Sequence, residues 1–449
     1  MEINIISRKT IKPSLPTPNE RKTYKLCLFD VFQLNTYFPL ILFYSKTNDM
    51  QGFSYISDQL KKSLSEALTI FYPLGGRRSD IFSIDCNDEG AIYIEASVNI
   101  NIEEFLKPPK LELLYKLLPC EPNKIQPHQQ ALPQLLVQVN KFKCGGIAIG
   151  LCNLHTLLDA CSCSTLLKTW SSICKGSREE ISWPDFSSAS NSFPPRNTFG
   201  VRAGVMNINK GLEIETKCTT SRFLFDNRTI NDLKAKLEND GTNTKLPITR
   251  YQVVSSLICK HMIVACNMEE PCDHRTRPVV VLHVVDMRRR MGEPFSQDSI
   301  GNLLWPAVLL YENVNRDTDI RYLVRILEEE IGKLTKELFL KVQNDPSFLW
   351  SDECAELMLE GIETKNPISF VFTSWANMGF NELNFGWGKP LWLAQKGGTK
   401  ETIPNSVLLM ETDEGIEAWV TMTEKHMAIL ENDKDFLRLA LLNPSFSNL

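Results

Sequence analysis

The sequence predicts an α/β protein of two domains of similar size. Three observations carry that expectation. Segments rich in aromatic and β-branched residues alternate with segments of helical period in both halves of the chain. A stretch rich in Ser, Asn, Pro and Gly, from about Pro184 to Gly211, separates the halves. At 449 residues the chain is too long for one ordinary hydrophobic core.

The elements follow in order. "KPSLPTP" at 12–18 is a proline-rich lead-in, and "YKLCLFDVF" and "FPLILFY" after it have the composition of strands. From Ser57 the period turns helical, with Leu60, Leu64, Leu68 and Phe71 on one face and Lys61, Lys62 and Glu66 away from it. Pro73 ends that helix, and Gly75 and Gly76 turn the chain. "FSIDC" and "AIYIEA", joined by "NDEG", read as a hairpin. Two strands follow, the second of them, ending at Leu154, almost wholly apolar and therefore central. A helix over 160–175 packs behind it. After the linker come the strand "SRFLFD", the helices "RTINDLKAKLEN" and "TRYQVVSSLICKHMIVA", and the strand "PVVVLHVVDM". One long charged helix over 320–342 precedes the strands "ISFVFTSW", "SVLLMET" and "IEAWVTM". The expected domains are 1–185 and 216–449, with a crossover at 186–215; the segment 384–403 packs back onto the first domain.

Composition narrows the function. An apolar content of 43% with 23% charged residues is that of a soluble globular protein. The net charge of −5 leaves no electrostatic footprint for nucleic acid and no basic stripe for a membrane. Residues 1–18 carry an acid at position 2 and no long apolar core, so they do not read as a signal peptide. The longest apolar run, "YFPLILFY", is far short of the ~20 residues of a membrane span. The closing "FSNL" matches neither a peroxisomal nor a prenylation signal. The 13 cysteines are odd in number and scattered. Cys144, Cys152, Cys259 and Cys266 lie in apolar surroundings, and Cys161 and Cys163 are one residue apart, which is not a redox or zinc spacing. A reducing cytosol is the expected compartment.

Several catalytic signatures are missing: the G-x-S-x-G elbow, the G-x-x-x-x-G-K-[ST] loop and H-E-x-x-H, and the histidines are too dispersed for a local zinc site. No metal is expected. What remains is "CNLHTLLDAC" at 152–161, which places His155 at the end of the central apolar strand and Asp159 four residues on. On the residues alone, His155 is either a packed core histidine or a base. An imidazole is well matched to taking a proton from a hydroxyl at neutral pH. Asp159 either orients the ring or pairs with an arginine.

"HTLLD" and "NFGWG" at 384–388 together resemble the two signatures of the plant BAHD acyltransferases. "KPSLPTP", "FYPLGGR", "DMRRR" at 286–290, "GN" at 301–302 and "TSW" at 373–375 fall in family order, so the resemblance spans essentially the whole chain. "FPLILFY", "SIDCNDEG" and "NFGWGKP" are most similar to the vinorine synthase branch, which acetylates alkaloid alcohols.

The resemblance implies two chloramphenicol acetyltransferase-like domains, each a mixed sheet with flanking helices. A long crossover loop joins them, and a channel runs between them. It implies an acyl-CoA-dependent O-acyltransferase, acetyl-CoA as cosubstrate, no permanently bound cofactor, and a small-molecule alcohol as acceptor, such as an alkaloid or terpenoid. A cytosolic monomer is expected, with neither nucleic acid nor membrane as partner. His155 becomes the general base of a direct transfer in a ternary complex. Asp159 is implied to pair with Arg288 as architecture. Thr373, Ser374 and Trp375 are implied to line the coenzyme arm of the channel, and Gly386 and Gly388 to form a tight turn. For Trp375 and Trp387, core packing is as good a reading as ligand contact. The other "DMRRR" arginines read as a solvated face. The absence of Lys and Arg from "TSWANMGFNEL" favours a neutral acyl group over malonyl. One departure stands out: Asn384 occupies the place of the family aspartate. Asparagine retains the size and the hydrogen-bond acceptor, so a tolerated substitution is the first reading. The alternatives are transfer of malonyl or another acyl group, N-acylation, and a family member that binds without turnover.

Overall fold

The computed structural model describes residues 1–33, 36–46, 52–122, 131–195, 217–239, 247–268, 277–350, 367–396 and 404–445. Residues 196–216, which include most of the expected crossover, and 397–403, the end of the 384–403 segment, lie outside the described residues, as does the closing "FSNL". Contacts divide the chain into two units. The first comprises 1–203, 292–303 and 378–397; the second comprises 204–291, 304–377 and 398–449.

The first unit is built on a six-stranded mixed sheet. Its order is Ile3–Ile11, Ala91–Val98, Leu135–Phe142, Ile147–Leu154, Tyr37–Tyr44 and Trp392–Ala394. Ile147–Leu154 is buried at every residue and hydrogen-bonded on both sides, to Leu135–Phe142 and to Tyr37–Tyr44. That double burial is why its sequence carries no polar alternation. The helices Phe53–Ile70 and Ala160–Lys175 pack together beside the sheet. The indole N–H of Trp170 fastens them, donating to Leu60 O at 3.2 Å and Ser63 Oγ at 3.1 Å.

The second unit carries a seven-stranded mixed sheet in the order Leu304–Tyr311, Val279–Asp286, Ile368–Ser374, Ser406–Glu411, Gly415–Thr423, Cys218–Asp226 and Leu441–Leu442. The helix Arg250–Asn267 opens on a reciprocal cap: Gln252 N–H donates to Thr249 Oγ1 and Thr249 N–H donates to Gln252 Oε1. At the C-terminal edge a fully buried ion pair, Arg222–Glu417 at 3.2 Å, lies beside the indole of Trp419. Among the described residues, no helix is long and apolar enough to cross a membrane.

Several elements differ from the sequence expectation. "FSIDC" and "AIYIEA" do not form a hairpin. Ser83–Asp85 pairs with Thr23–Lys25 and Arg77–Arg78, whereas Ala91–Val98 joins the main sheet. The reason lies in the turn: Asp88 accepts from Thr17 N and from Lys22 Nζ, each at 3.0 Å, so the lead-in holds "NDEG" open. "LCLFDVF" holds a short helix, Leu28–Phe32, in place of a strand, because the Asp30 carboxylate caps Cys27 N–H at 2.8 Å. The expected long helix is two, Ile320–Gly332 and Lys336–Asn344. Thr335 Oγ1 caps the second, and Arg290 Nη1 takes up the carbonyls of Ile331 and Leu334 at the break. The edge strand Ile3–Ile11 has no counterpart in the expectation.

Candidate active site

His155 follows the last residue of the central strand of the first unit. Its backbone N–H donates to Thr36 O at 2.9 Å, which holds it to the neighbouring chain just beyond the paired strands. The imidazole is partly buried, with the ring of Phe38 edge-on to it at 5.7 Å.

The ring's orientation is set by an amide from far along the chain. His155 Nδ1 lies 2.9 Å from Asn302 Oδ1. The two amide protons of Asn302 are already committed, one to Asp30 Oδ1 and one to His155 O, each at 2.8 Å. The Asn302 oxygen is therefore the atom facing the ring, and an amide oxygen only accepts. In the neutral imidazole the proton must sit on Nδ1, which leaves the lone pair on Nε2. Donor counting thus yields the tautomer that a general base at Nε2 requires.

Behind Asn302 the carboxylate of Asp30 is fully buried. It accepts from Asn302 N at 2.7 Å, from Asn302 Nδ2, and from Cys27 N at 2.8 Å. Burial lifts its carboxyl to about 6, against the opposing pull of these hydrogen bonds.

Asp159 serves the start of the helix that follows His155. It is fully buried and caps the helix Ala160–Lys175, its Oδ1 accepting from Ser162 N at 2.8 Å. The cap turns the chain from the His155 strand into the helix. Ser162 Oγ in turn donates to Gly301 O at 3.2 Å, which ties the helix start to the residue before Asn302.

Asn384, Gly386 and Gly388 form one turn. Asn384 Oδ1 accepts from Gly386 N at 2.8 Å and from Gly388 N at 3.0 Å. Both glycines have positive φ, 112° and 104°, where a side chain would strain the backbone. Phe385 anchors the turn against Trp170 at 5.0 Å, and Trp387 stacks on Phe385 and meets Tyr44 edge-on. Trp387 therefore packs with neighbouring rings. Tyr44 Oη donates to Leu383 O, and Ser164 Oγ to Met378 O.

The remaining expected residues belong to the second unit. Arg288 is fully buried, and its Nη1 and backbone N both donate to Asp286 Oδ1, at 2.9 and 3.1 Å. Arg289 and Arg290 are exposed. Thr373 and Ser374 end the strand Ile368–Ser374, and Ser374 Oγ accepts from Ala376 N. Trp375 is buried, its backbone N–H donating to Leu409 O. Among the described residues no cluster of His, Cys, Asp and Glu could hold a metal ion.

The sequence expectation assigned no role to Asn302, Asp30 or Phe38. The dipeptide Gly301–Asn302 was the signal for the first of these, and its partner was invisible because 147 residues separate it from His155.

Comparison with known proteins agrees with this architecture. The family model described as Transferase family matches residues 1–437. Stemmadenine O-acetyltransferase of Catharanthus roseus is 33% identical over 100% of this chain and 99% of its own. Limonoid 7-O-acetyltransferase of Citrus sinensis is 33% identical over 99% of both chains. The crystal structure of vinorine synthase superposes with a TM-score of 0.81 at 30% identity, covering 99% of this chain and 100% of that one. With its two mixed sheets on the vinorine synthase fold, the chain belongs to the Transferase family, the BAHD acyltransferases, and is an acyltransferase.

Proposed function

We propose that this enzyme transfers an acetyl group from acetyl-CoA to a hydroxyl of an alkaloid or terpenoid, with His155 as general base. The hydrogen bond between His155 Nδ1 and Asn302 Oδ1 carries the reading, because it leaves Nε2 free to accept a proton. Nε2 takes the proton of the acceptor hydroxyl while the oxygen attacks the thioester carbonyl. The tetrahedral intermediate collapses with loss of the coenzyme A thiolate, which recovers the proton from the imidazolium. A positioned base contributes roughly 10²–10⁴-fold, and holding both substrates together supplies much of the rest. The relatives named for O-acetylation of stemmadenine and of limonoids support both the acyl group and the acceptor class. The missing nucleophile elbow favours direct transfer in a ternary complex.

Asp159 and Arg288 serve as architecture around the site. Asn384, Gly386 and Gly388 hold a turn, and Thr373, Ser374 and Trp375 line the coenzyme site. The enzyme works as a cytosolic monomer without a permanent cofactor; the 11 described cysteines, all free thiols, support a reducing compartment.

The test is coenzyme A release, followed with a free-thiol reagent, from acetyl-CoA and malonyl-CoA in the presence of a panel of alkaloid and terpenoid alcohols. Acceptor-dependent release from acetyl-CoA, with malonyl-CoA poor, is expected. Preference for malonyl-CoA, or failure to bind acetyl-CoA by calorimetry, would overturn the assignment.

A further inference from the structure

Asp30 is a carboxylate with no access to substrate. It is fully buried, and the groups around it are donors: Asn302 N, Asn302 Nδ2 and Cys27 N, at 2.7–2.8 Å. The donors favour the anion while burial opposes it and lifts the carboxyl to about 6, so the carboxylate form prevails at pH 7. Among the described residues it connects to the chemistry through the Asn302 amide, which takes a hydrogen bond from His155 Nδ1 on its other side.

We propose that Asp30 is a positioning residue for acyl transfer, a buried carboxylate that acts on His155 through the side-chain amide of Asn302. The proposal rests on the reading of His155 as general base. A carboxylate on the amide N–H draws electron density toward Asn302 Oδ1 and makes that oxygen a stronger acceptor. The Nδ1–H bond is thereby strengthened. When Nε2 takes the acceptor's proton, the positive charge that develops on the ring is stabilised by the same chain. The logic is that of a carboxylate orienting a catalytic histidine, with an amide interposed. Asn302 also donates to His155 O, so the chain fixes the ring's backbone as well as its tautomer.

The charged groups around Asp30 make the arrangement readable by pH. Cys27 and Tyr24 face it, and burial pushes both of their ionisations upward, so both stay neutral near pH 7. Gly301, 3.6 Å from Oδ1 through a would-be Cβ, brings no charge. Asp30, lifted to about 6 by burial, is then the group behind Asn302 whose change of charge falls in the working range.

Two measurements test the proposal. The first is a cycle of Asp30→Asn, Asn302→Ala and the double variant, with kcat, the KM for acetyl-CoA, and melting followed together. Asp30→Asn is expected to lower kcat about tenfold or more with KM within about twofold, and to cost nothing further once Asn302 is alanine. Independent, additive losses would mean a purely structural residue and overturn the proposal.

The second measurement covers failure of Asp30→Asn to fold, since its NH2 must meet one of the donors around it. It follows the ¹⁵N signals of the His155 ring and the ¹³C signal of the Asp30 carboxyl in the unsubstituted enzyme as pH is varied. The ring should show a step at the pH where Asp30 titrates, and that step should vanish in Asn302→Ala. Ring signals indifferent to the Asp30 titration overturn the proposal. If the enzyme transfers no acyl group, the base reading falls, yet the ring signals still decide whether Asp30 acts on His155.

Discussion

Asn302 presents its amide oxygen, not its nitrogen, to His155 Nδ1 at 2.9 Å, because both of its amide protons are spent on Asp30 Oδ1 and His155 O. The His155 tautomer is thus decided by a residue that no local pattern links to it. Asn302→Ala should lower kcat by about 10–10²-fold, less than the roughly 10²–10⁴-fold that the base itself contributes. The ring's ¹⁵N spectrum should show a mixture of tautomers in place of the Nδ1–H form. A wild-type spectrum dominated by Nε2–H would contradict the donor count.

Asn384 stands where the BAHD resemblance places an aspartate, and the geometry supports the proposal that asparagine can serve there. The residue's task is to accept the N–H groups of Gly386 and Gly388, and a neutral amide oxygen does so at 2.8 and 3.0 Å. Asn384→Asp should retain activity within about twofold and gain no more than about 1 kcal/mol of stability. Asn384→Ala should cost about 0.5–1.5 kcal/mol per bond lost in urea unfolding. A gain of tenfold or more in kcat for Asn384→Asp would show that asparagine is a lesion.

Asp159 separates capping from charge. Asp159→Asn keeps an oxygen for Ser162 N, whereas Asp159→Ala loses the cap at a cost of about 0.5–2 kcal/mol, more if a buried partner is stranded. Urea midpoints should rank wild type above the asparagine variant and that above alanine. Equal midpoints for the alanine variant and wild type would remove Asp159 from the architecture.

His283 gives the second unit a sensitivity to acid. It lies in the sheet, stacked on Phe372 at 5.3 Å, and burial pushes it down to about 4. The unfolded chain binds this proton near pH 6.5 and the folded chain only near 4. Its contribution is therefore intact above 6.5 and is lost as pH falls toward 4, amounting to about 3 kcal/mol. Asp30, raised to about 6, has the opposite sign: the stability it contributes at low pH is lost as pH rises through 3.8 toward 6. The difference between wild type and His283→Phe isolates the histidine. It should flatten the loss between pH 6.5 and 4; parallel stability curves would contradict the assignment.

Much of the site was legible where sequence and structure are local. The unbroken apolar run ending at Leu154 marks a central strand, and His155 at its end follows from that alone. The helix behind it was legible from the apolar and small residues of 160–175, and the glycines of "NFGWG" signalled a turn. Distant partners were not. Asp30 is 272 residues from Asn302, and its short helix is decided by a capping bond, not by period. The edge strand Ile3–Ile11 has only three half-buried positions among exposed ones, so it lacks the apolar pattern that marks a strand. The long helix looked continuous because its charge and apolar period run through the break. What stops it is a threonine cap and an arginine donated from residue 290.

In the proposed reaction Nε2 of His155 takes the proton of the acceptor. Single-turnover acetyl transfer by wild type and His155→Ala, with acetyl-CoA affinity measured on both by calorimetry, tests it most directly. A fall of about 10²–10⁴-fold in the transfer rate with acetyl-CoA binding unchanged is the expected result. Transfer by the alanine variant within about threefold of wild type would contradict it, and would place the base elsewhere.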